Sequence, residues 1–208
     1  YCVEKVAGRV PVIAGSGSNC TREAINISKR AEEVGANGLL CVTPYYNKCT
    51  QEGLYQYYKA ISDAVNIPII MYNIPGRTGT TIQPETAVRI AKEVKNVVAI
   101  KEASGNISAV AKLAALADGC IDIYSGNDDQ VLPILSLGGK GVISVWSHVA
   151  PKKVHDMVYA YLNGDTATAT KLQLEAIDVI GALFCEVNPI PVKAAINMVG
   201  FKAGPVRA

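Results

Sequence analysis

Short apolar runs alternate with amphipathic stretches along most of the chain, and no other feature limits its folding as much. The runs are "VPVIAGSGS", "GLLCVTPYY", "IPIIMYNIP", "VVAIKEAS", "IDIYSGND" and "GVISVWSHV". Runs this short, rich in β-branched residues and bounded by turn formers, are strands. Between them lie "TREAINISKRAEEVG", "TQEGLYQYYKAISDAV", "ETAVRIAKEV" and "ISAVAKLAALAD", which carry helical periodicity. In the first of these, Ala24, Ile27, Ala31 and Val34 share one helical face; Asn19 or Thr21 can cap it, and Gly35 can end it. Strand then helix, repeated with short connections, makes a parallel α/β sheet.

Two architectures satisfy that pattern, the doubly wound open sheet and the closed (β/α)8 barrel. A doubly wound sheet gathers its chemistry at one switch point. A barrel draws it from the carboxyl ends of many strands. Here nearly every strand ends in polar residues: "GSGSN", "TPYYN", "YNIPGRT", "KEASGN", "SGNDD", "SVWSH". The fold class predicted is therefore α/β, a TIM barrel of which six of the eight βα units are visible. From Pro151 the pattern changes, and "PKKVHDMVYAYLNG", "TATATKLQLEAIDVIGALFCE" and "PIPVKAAINMVG" read as consecutive helices. The expected organisation is a partial barrel over 1–150, followed by the last barrel helix and a C-terminal helical region over 151–208.

One residue interrupts the apolar logic. Lys101 lies inside "VVAIKEASGN", a run that otherwise reads as a strand covered on both faces. Burial disfavours the charged form of a lysine, and a neutral amine can attack a carbonyl to form a Schiff base. A lysine that snorkels out of the strand end, or pairs with Glu102, fits this segment equally well. Tyr72 ends the strand of "IIMYNIPGRTG", where a phenol can move a proton. Tyr45 and Tyr46 are adjacent, so in an extended segment they point opposite ways and only one faces a given pocket. Arg77, in a turn rich in Pro and Gly, offers a planar fork suited to a carboxylate.

Two glycine-rich stretches resemble phosphate cradles. "LGGKG" (137–141) precedes its strand and so lies at the face opposite the site. "GSGSN" (15–19) follows a strand and opens a helix, where anions bind, but it lacks the full dinucleotide fingerprint.

Composition excludes several classes. The net charge is +2 and no basic run interleaves with aromatics, which argues against nucleic acid. No apolar run is long enough to span a membrane, and the opening "YCVEKVAGRV" has neither the basic start nor the apolar core of a secretory signal. The six cysteines form no C-x-x-C pair, and His148 and His155 supply no metal spacing. Free thiols in a reducing cytoplasm are expected, with Cys41 a small core residue.

Taken together, "TPYYNK", "QEGLY", "YNIPGRTG", "IKEASGN", "SGNDD", "GVISV" and "NPIPVKAA" closely resemble the dihydrodipicolinate synthase family in order and spacing, across essentially the whole chain. N-acetylneuraminate lyases share the YN-x-P start but lack the Arg-Thr-Gly after it. The resemblance implies a (β/α)8 barrel with C-terminal helices and a class I aldolase-type condensation of pyruvate with aspartate 4-semialdehyde, in lysine and diaminopimelate synthesis. It gives Lys101 the role of Schiff-base lysine and Tyr72 that of general acid/base. Tyr46 matches a relay tyrosine that reaches into a neighbouring subunit's site. Arg77 matches the clamp on the semialdehyde carboxylate, and Ile143 a pyruvate contact. Asn19, Glu23 and Tyr45 match part of a site for L-lysine as inhibitor. A cytoplasmic homotetramer is implied. No metal or organic cofactor is expected, because the imine is itself the electron sink.

The chain also departs from the family. The first two βα units are absent, and with them a Thr-Thr-Gly segment. Cys49 replaces the proline usual after "YYNK", and "VWSHV" is unusual after "GVIS". Two other readings stand beside the synthase: a catalytically silent fragment with a binding or assembly role, and a sugar-acid aldolase of the N-acetylneuraminate lyase type. Arg77 argues against the latter.

Overall fold

A computed structural model describes residues 1–207. Six strands are present: β1 (Ile13–Gly15), β2 (Gly38–Val42), β3 (Ile69–Asn73), β4 (Val97–Glu102), β5 (Asp122–Ser125) and β6 (Gly141–Val142). Their hydrogen-bonded order is the chain order, and the β1–β2, β2–β3 and β3–β4 ladders are parallel. Between the strands run α2 (Thr21–Glu33), α3 (Gln51–Ser62), the one-turn α4 (Pro75–Thr78), α5 (Pro84–Glu93), α6 (Ile107–Ala117) and α7 (Val131–Ser136), with a short α1 (Cys2–Val6) ahead of β1. After β6 the regular elements are helical: α8 (Pro151–Leu162), α9 (Thr166–Glu175), α10 (Ile177–Leu183) and α11 (Ile190–Met198), preceded by a 3₁₀ turn at Trp146–His148. No helix among the described residues is long and apolar enough to cross a membrane.

The chain divides into two compact units, Tyr1–Tyr124 and Ser125–Ala208. In the first, alternate strand residues face the helices. Leu39, Cys41, Ile69, Met71 and Ile100 are buried there, as are Leu54, Tyr58, Ile61, Ile90 and Val110 of the helices. The residues between them, Leu40, Val42, Ile70, Tyr72 and Lys101, are half-buried. The face that carries Lys101 is thus less covered than the continuous apolar run implies.

One irregularity sets the β3–β4 register. Ile69 pairs with Val97, but Ile70 pairs with Ala99, so β4 spends one extra residue, Val98, as a bulge. Val98 is 44% exposed in an otherwise apolar strand.

Helix α2 is rotated from the face its periodicity predicts. Ala24, Ser28 and Ala31 are buried, whereas Ile27 and Val34 are exposed. Small side chains at 24, 28 and 31 let this helix lie close to the sheet, and the larger Ile27 is turned outward. Neither Asn19 nor Thr21 caps it. Cys20 is the N-cap and makes no side-chain cap bond. Gly35, with φ +86°, lies just past its end as expected.

In the second unit Trp146, Val131, Met157, Ile180 and Leu183 are core residues. The buried Asp128 carboxyl accepts from the main-chain N–H of Val145 and of Trp146, both at 2.9 Å, while Gln173 donates to the Asp128 carbonyl at 2.9 Å. The stretch "TATATKLQLEAIDVIGALFCE", expected to form one helix, breaks at Ala176 into α9 and α10. Ala176 is buried in this core with Ile180, so the path of the chain here obeys the packing rather than continuous helical periodicity.

Both glycine-rich decoys are packing devices. A Cβ on Gly17 would stand 2.4 Å from the Val42 nitrogen, and one on Gly139 would stand 2.7 Å from the Ile134 carbonyl oxygen. Each glycine marks a close approach of two backbones.

Candidate active site at the carboxyl ends of β2, β3 and β4

Tyr72 and Lys101 are register partners on adjacent parallel strands, so their side chains leave the sheet on the same face. The Lys101 Nζ lies over the Tyr72 ring, 4.3 Å from its centroid, a cation–π geometry. Burial pushes the Tyr72 phenol above its ordinary pKa, while the Arg77 guanidinium pulls the other way. A phenol held protonated in this way is a proton donor at neutral pH.

Arg77 is positioned by α4. The motif "NIPGRTG" explains this turn: Pro75 opens it at a position that needs no N–H donor, and Gly79 closes it with φ +69°. The Thr78 hydroxyl donates to the Thr80 carbonyl at 2.9 Å, which ties the turn to the chain that leaves it. Arg77 itself is exposed.

The β2–α3 loop reaches the same turn. The Tyr46 N–H donates to the Thr78 carbonyl at 3.2 Å, and the Lys48 side chain passes Gly79. Tyr46 has φ +72°, so the segment is not extended at this point and the strict alternation expected for Tyr45 and Tyr46 does not hold. Both are exposed, Tyr46 at 87% and Tyr45 at 40%.

A tyrosine that sequence reasoning passed over joins the loops. Tyr57 Oη accepts from the Ser18 N–H at 3.1 Å and donates to the Ser18 carbonyl at 3.0 Å, which fastens the β1–α2 loop. Burial, with a smaller contribution from Tyr45 among others, raises its pKa. Asn19 is half-buried next to that anchor, and Glu23 is exposed on the first turn of α2. The 57/58 pair stands within "LYQYYK" at helical spacing, where a tyrosine looks like core.

Ile143 belongs to the second unit. It comes directly after β6, half-buried, and its N–H donates to the Ser125 carbonyl at 2.9 Å.

The polar pair Asn73 and Glu102 was also missed. Both are buried, at 2% and 5% exposure, one residue beyond Tyr72 and Lys101. Asn73 Nδ2 donates to Glu102 Oε2 at 2.8 Å. The only signal available was their place directly after the candidate residues. Among the described residues no group of three or more His, Cys, Asp or Glu is arranged to hold a metal ion.

Known proteins resemble this chain closely in sequence and fold. The model of the dihydrodipicolinate synthetase family matches residues 1–208. The 4-hydroxy-tetrahydrodipicolinate synthase of Caldicellulosiruptor bescii is 58% identical over 207 residues, and that of Clostridium tetani 55%; each alignment covers 100% of this chain and 70% of the relative. A crystal structure of dihydrodipicolinate synthase superposes with TM-score 0.96 at 48% identity, over 99% of this chain and 70% of that one. The Acinetobacter baumannii enzyme in complex with pyruvate gives TM-score 0.94 at 42% identity, with 99% and 71% covered. The Cyanidioschyzon merolae enzyme with lysine bound gives 0.94 at 40%, with 99% and 70% covered. The six parallel strands with their helices are βα units of that TIM-barrel fold. The chain belongs to the dihydrodipicolinate synthetase family.

Proposed function

We propose that this chain carries the Schiff-base centre of a 4-hydroxy-tetrahydrodipicolinate synthase, which condenses pyruvate with aspartate 4-semialdehyde. The observation that carries the reading is the pairing of Lys101 with Tyr72, amine over ring at 4.3 Å on neighbouring strand ends. The Lys101 amine attacks the pyruvate carbonyl carbon, water leaves, and an imine forms. The imine accepts the electron pair released when the methyl group loses a proton, giving an enamine. The enamine carbon attacks the semialdehyde carbonyl, and Tyr72 and Tyr46 carry the protons. Arg77 grips the semialdehyde carboxylate, and Ile143 contacts pyruvate. The lysine supplies the electron sink, so the scheme draws on no organic cofactor.

The exposure of Tyr46 suits a residue that serves another copy, within a cytoplasmic homotetramer. Asn19, Glu23 and Tyr45 would contribute to an inhibitory L-lysine site. Residues 1–150 supply the barrel portion and 151–208 the helical remainder.

Treating the protein with pyruvate and borohydride, then mapping the adduct by mass spectrometry, tests the assignment. The reduced adduct is expected on Lys101. An adduct on another lysine, or none, overturns it, and none would favour a binding or assembly role. Comparing aspartate semialdehyde with sugar-derived aldehydes as acceptors separates the synthase from the sugar-acid aldolases.

A further inference from the structure

Behind the Tyr72–Lys101 row lies a second one. Asn73 and Glu102 are the next register pair, and successive residues of a strand face opposite sides, so this pair lies on the helix-covered face. The Asn73 amide uses both of its ends. Nδ2 donates to Glu102 Oε2 at 2.8 Å, and Oδ1 accepts from the Ile82 N–H at 3.0 Å. Glu102 Oε1 accepts from the Ser104 N–H at 2.7 Å. Three segments therefore meet at one buried side-chain pair: the end of β3 just past Tyr72, the end of β4 just past Lys101, and the chain leaving the Arg77 turn. The backbone ladder continues alongside, with the Ala103 N–H donating to the Asn73 carbonyl at 2.9 Å.

An acid buried among apolar neighbours is expensive, and an apolar pair of similar volume would serve stability as well or better. What an apolar pair cannot do is hold two strand ends at a fixed offset through directional bonds. We propose that Asn73 and Glu102 are positioning residues, which set the separation and orientation of Tyr72, Lys101 and the Arg77 turn without touching substrate. This inference rests on the Schiff-base reading of Lys101.

The pair can be inverted. In the double variant Asn73→Asp/Glu102→Gln the aspartate accepts from Ile82 N–H and from the new glutamine amide, whose oxygen accepts from Ser104 N–H. All three bonds survive, and only the one between the two side chains reverses its donor and acceptor. In Asn73→Asp alone two carboxyl groups oppose each other. In Glu102→Gln alone one of the three bonds is lost: the one to Asn73, the one from Ser104 N–H or, if the Asn73 amide turns over, the one from Ile82 N–H.

Four proteins are compared: unaltered, each single variant and the double. The readout is the rate of pyruvate-dependent borohydride trapping at Lys101 per folded molecule, with thermal melts alongside. Each single variant is expected to slow trapping roughly tenfold or more, since small misplacements of reacting groups carry large penalties. The double variant is expected to return to within about twofold of the unaltered rate. Melting temperatures that fall and recover while the trapping rate stays constant would make the pair merely structural and overturn the proposal.

A second measurement needs no pyruvate. Acetylation of Lys101 by acetic anhydride, relative to the exposed Lys29, is expected to shift by about threefold in the singles and return in the double, because a displaced amine changes its surroundings and its access to the reagent. If the unaltered protein traps no pyruvate at Lys101, the Schiff-base reading fails while acetylation still reports on the positioning. A flat acetylation ratio across all four proteins refutes the positioning itself.

Discussion

Replacing Tyr72 by Phe removes one oxygen and leaves the ring. The Tyr72 main-chain carbonyl accepts from the Thr43 N–H at 3.2 Å, a bond the substitution leaves in place. The ring that faces Lys101 Nζ at 4.3 Å persists, and a contact of this kind contributes roughly 0.5–1 kcal/mol at a partly wet site. Stability should therefore change by less than about 0.5 kcal/mol, as at a position outside the packed interior. Turnover should change far more. A positioned proton-transfer group contributes roughly 10²–10⁴-fold, which is about 3–5 kcal/mol of barrier at about 1.4 kcal/mol per decade. The assay measures pyruvate-dependent consumption of aspartate semialdehyde, with a thermal melt and borohydride trapping on the same preparation. The expected result is a loss of turnover of roughly a hundredfold or more, an unchanged melt, and slower trapping still confined to Lys101. Unchanged turnover would remove Tyr72 from the proton path. A melt depressed along with turnover would show that the hydroxyl supports the fold instead.

Two more outcomes come from burial and packing. Burial pushes the Cys41 thiol up to about 11, only partly offset by the Ser16 hydroxyl at 3.1 Å. The unfolded thiol releases its proton near about 8.5, so between the two values the unfolded chain binds fewer protons and stability falls as pH rises, by up to about 3 kcal/mol. Buried Tyr57 and Tyr58, also raised, act in the same direction at higher pH. Urea melts of the unaltered protein and of Cys41→Ala should diverge across that window, and parallel curves would refute the account. Gly17→Ala places a methyl 2.4 Å from a backbone nitrogen that cannot yield, which should cost roughly 1–3 kcal/mol. Gly15→Ala meets no atom within 4 Å and should be nearly neutral; equal midpoints for the two variants would contradict the packing role of Gly17.

Much of this architecture was legible because parallel strands declare themselves by apolar runs and their carboxyl ends by polar ones. Lys101 stood out as a charge in such a run, and Tyr72 and Arg77 by their place after another. Asn73 and Glu102 did not, because a buried polar residue and a solvated one are the same letter, and only the partner decides. The rotation of α2 was hidden for a related reason. Ser28 reads as polar and Ile27 as apolar, but closeness to the sheet selected the smaller side chain. The conformation of Tyr46 was illegible too, since a positive φ at a tyrosine leaves no mark on neighbouring residues. Its N–H is instead held by a carbonyl in a turn many residues away.

The bulge at Val98 makes the site a matter of parity. From the shared rung Ile69–Val97, β3 takes three steps to Tyr72 and β4 takes four to Lys101. Odd and even counts lead to opposite sides of a strand, so the two side chains meet only because one strand miscounts. Were Val98 paired in the ladder instead of bulged out, every chemical group of the site would remain and the lysine would still fall on the wrong side, opposite Asn73. A comparison of related chains by residue identity alone would not register such a change of pairing. In this chain the pairing of residues between two rungs decides which groups meet as much as the lysine itself does.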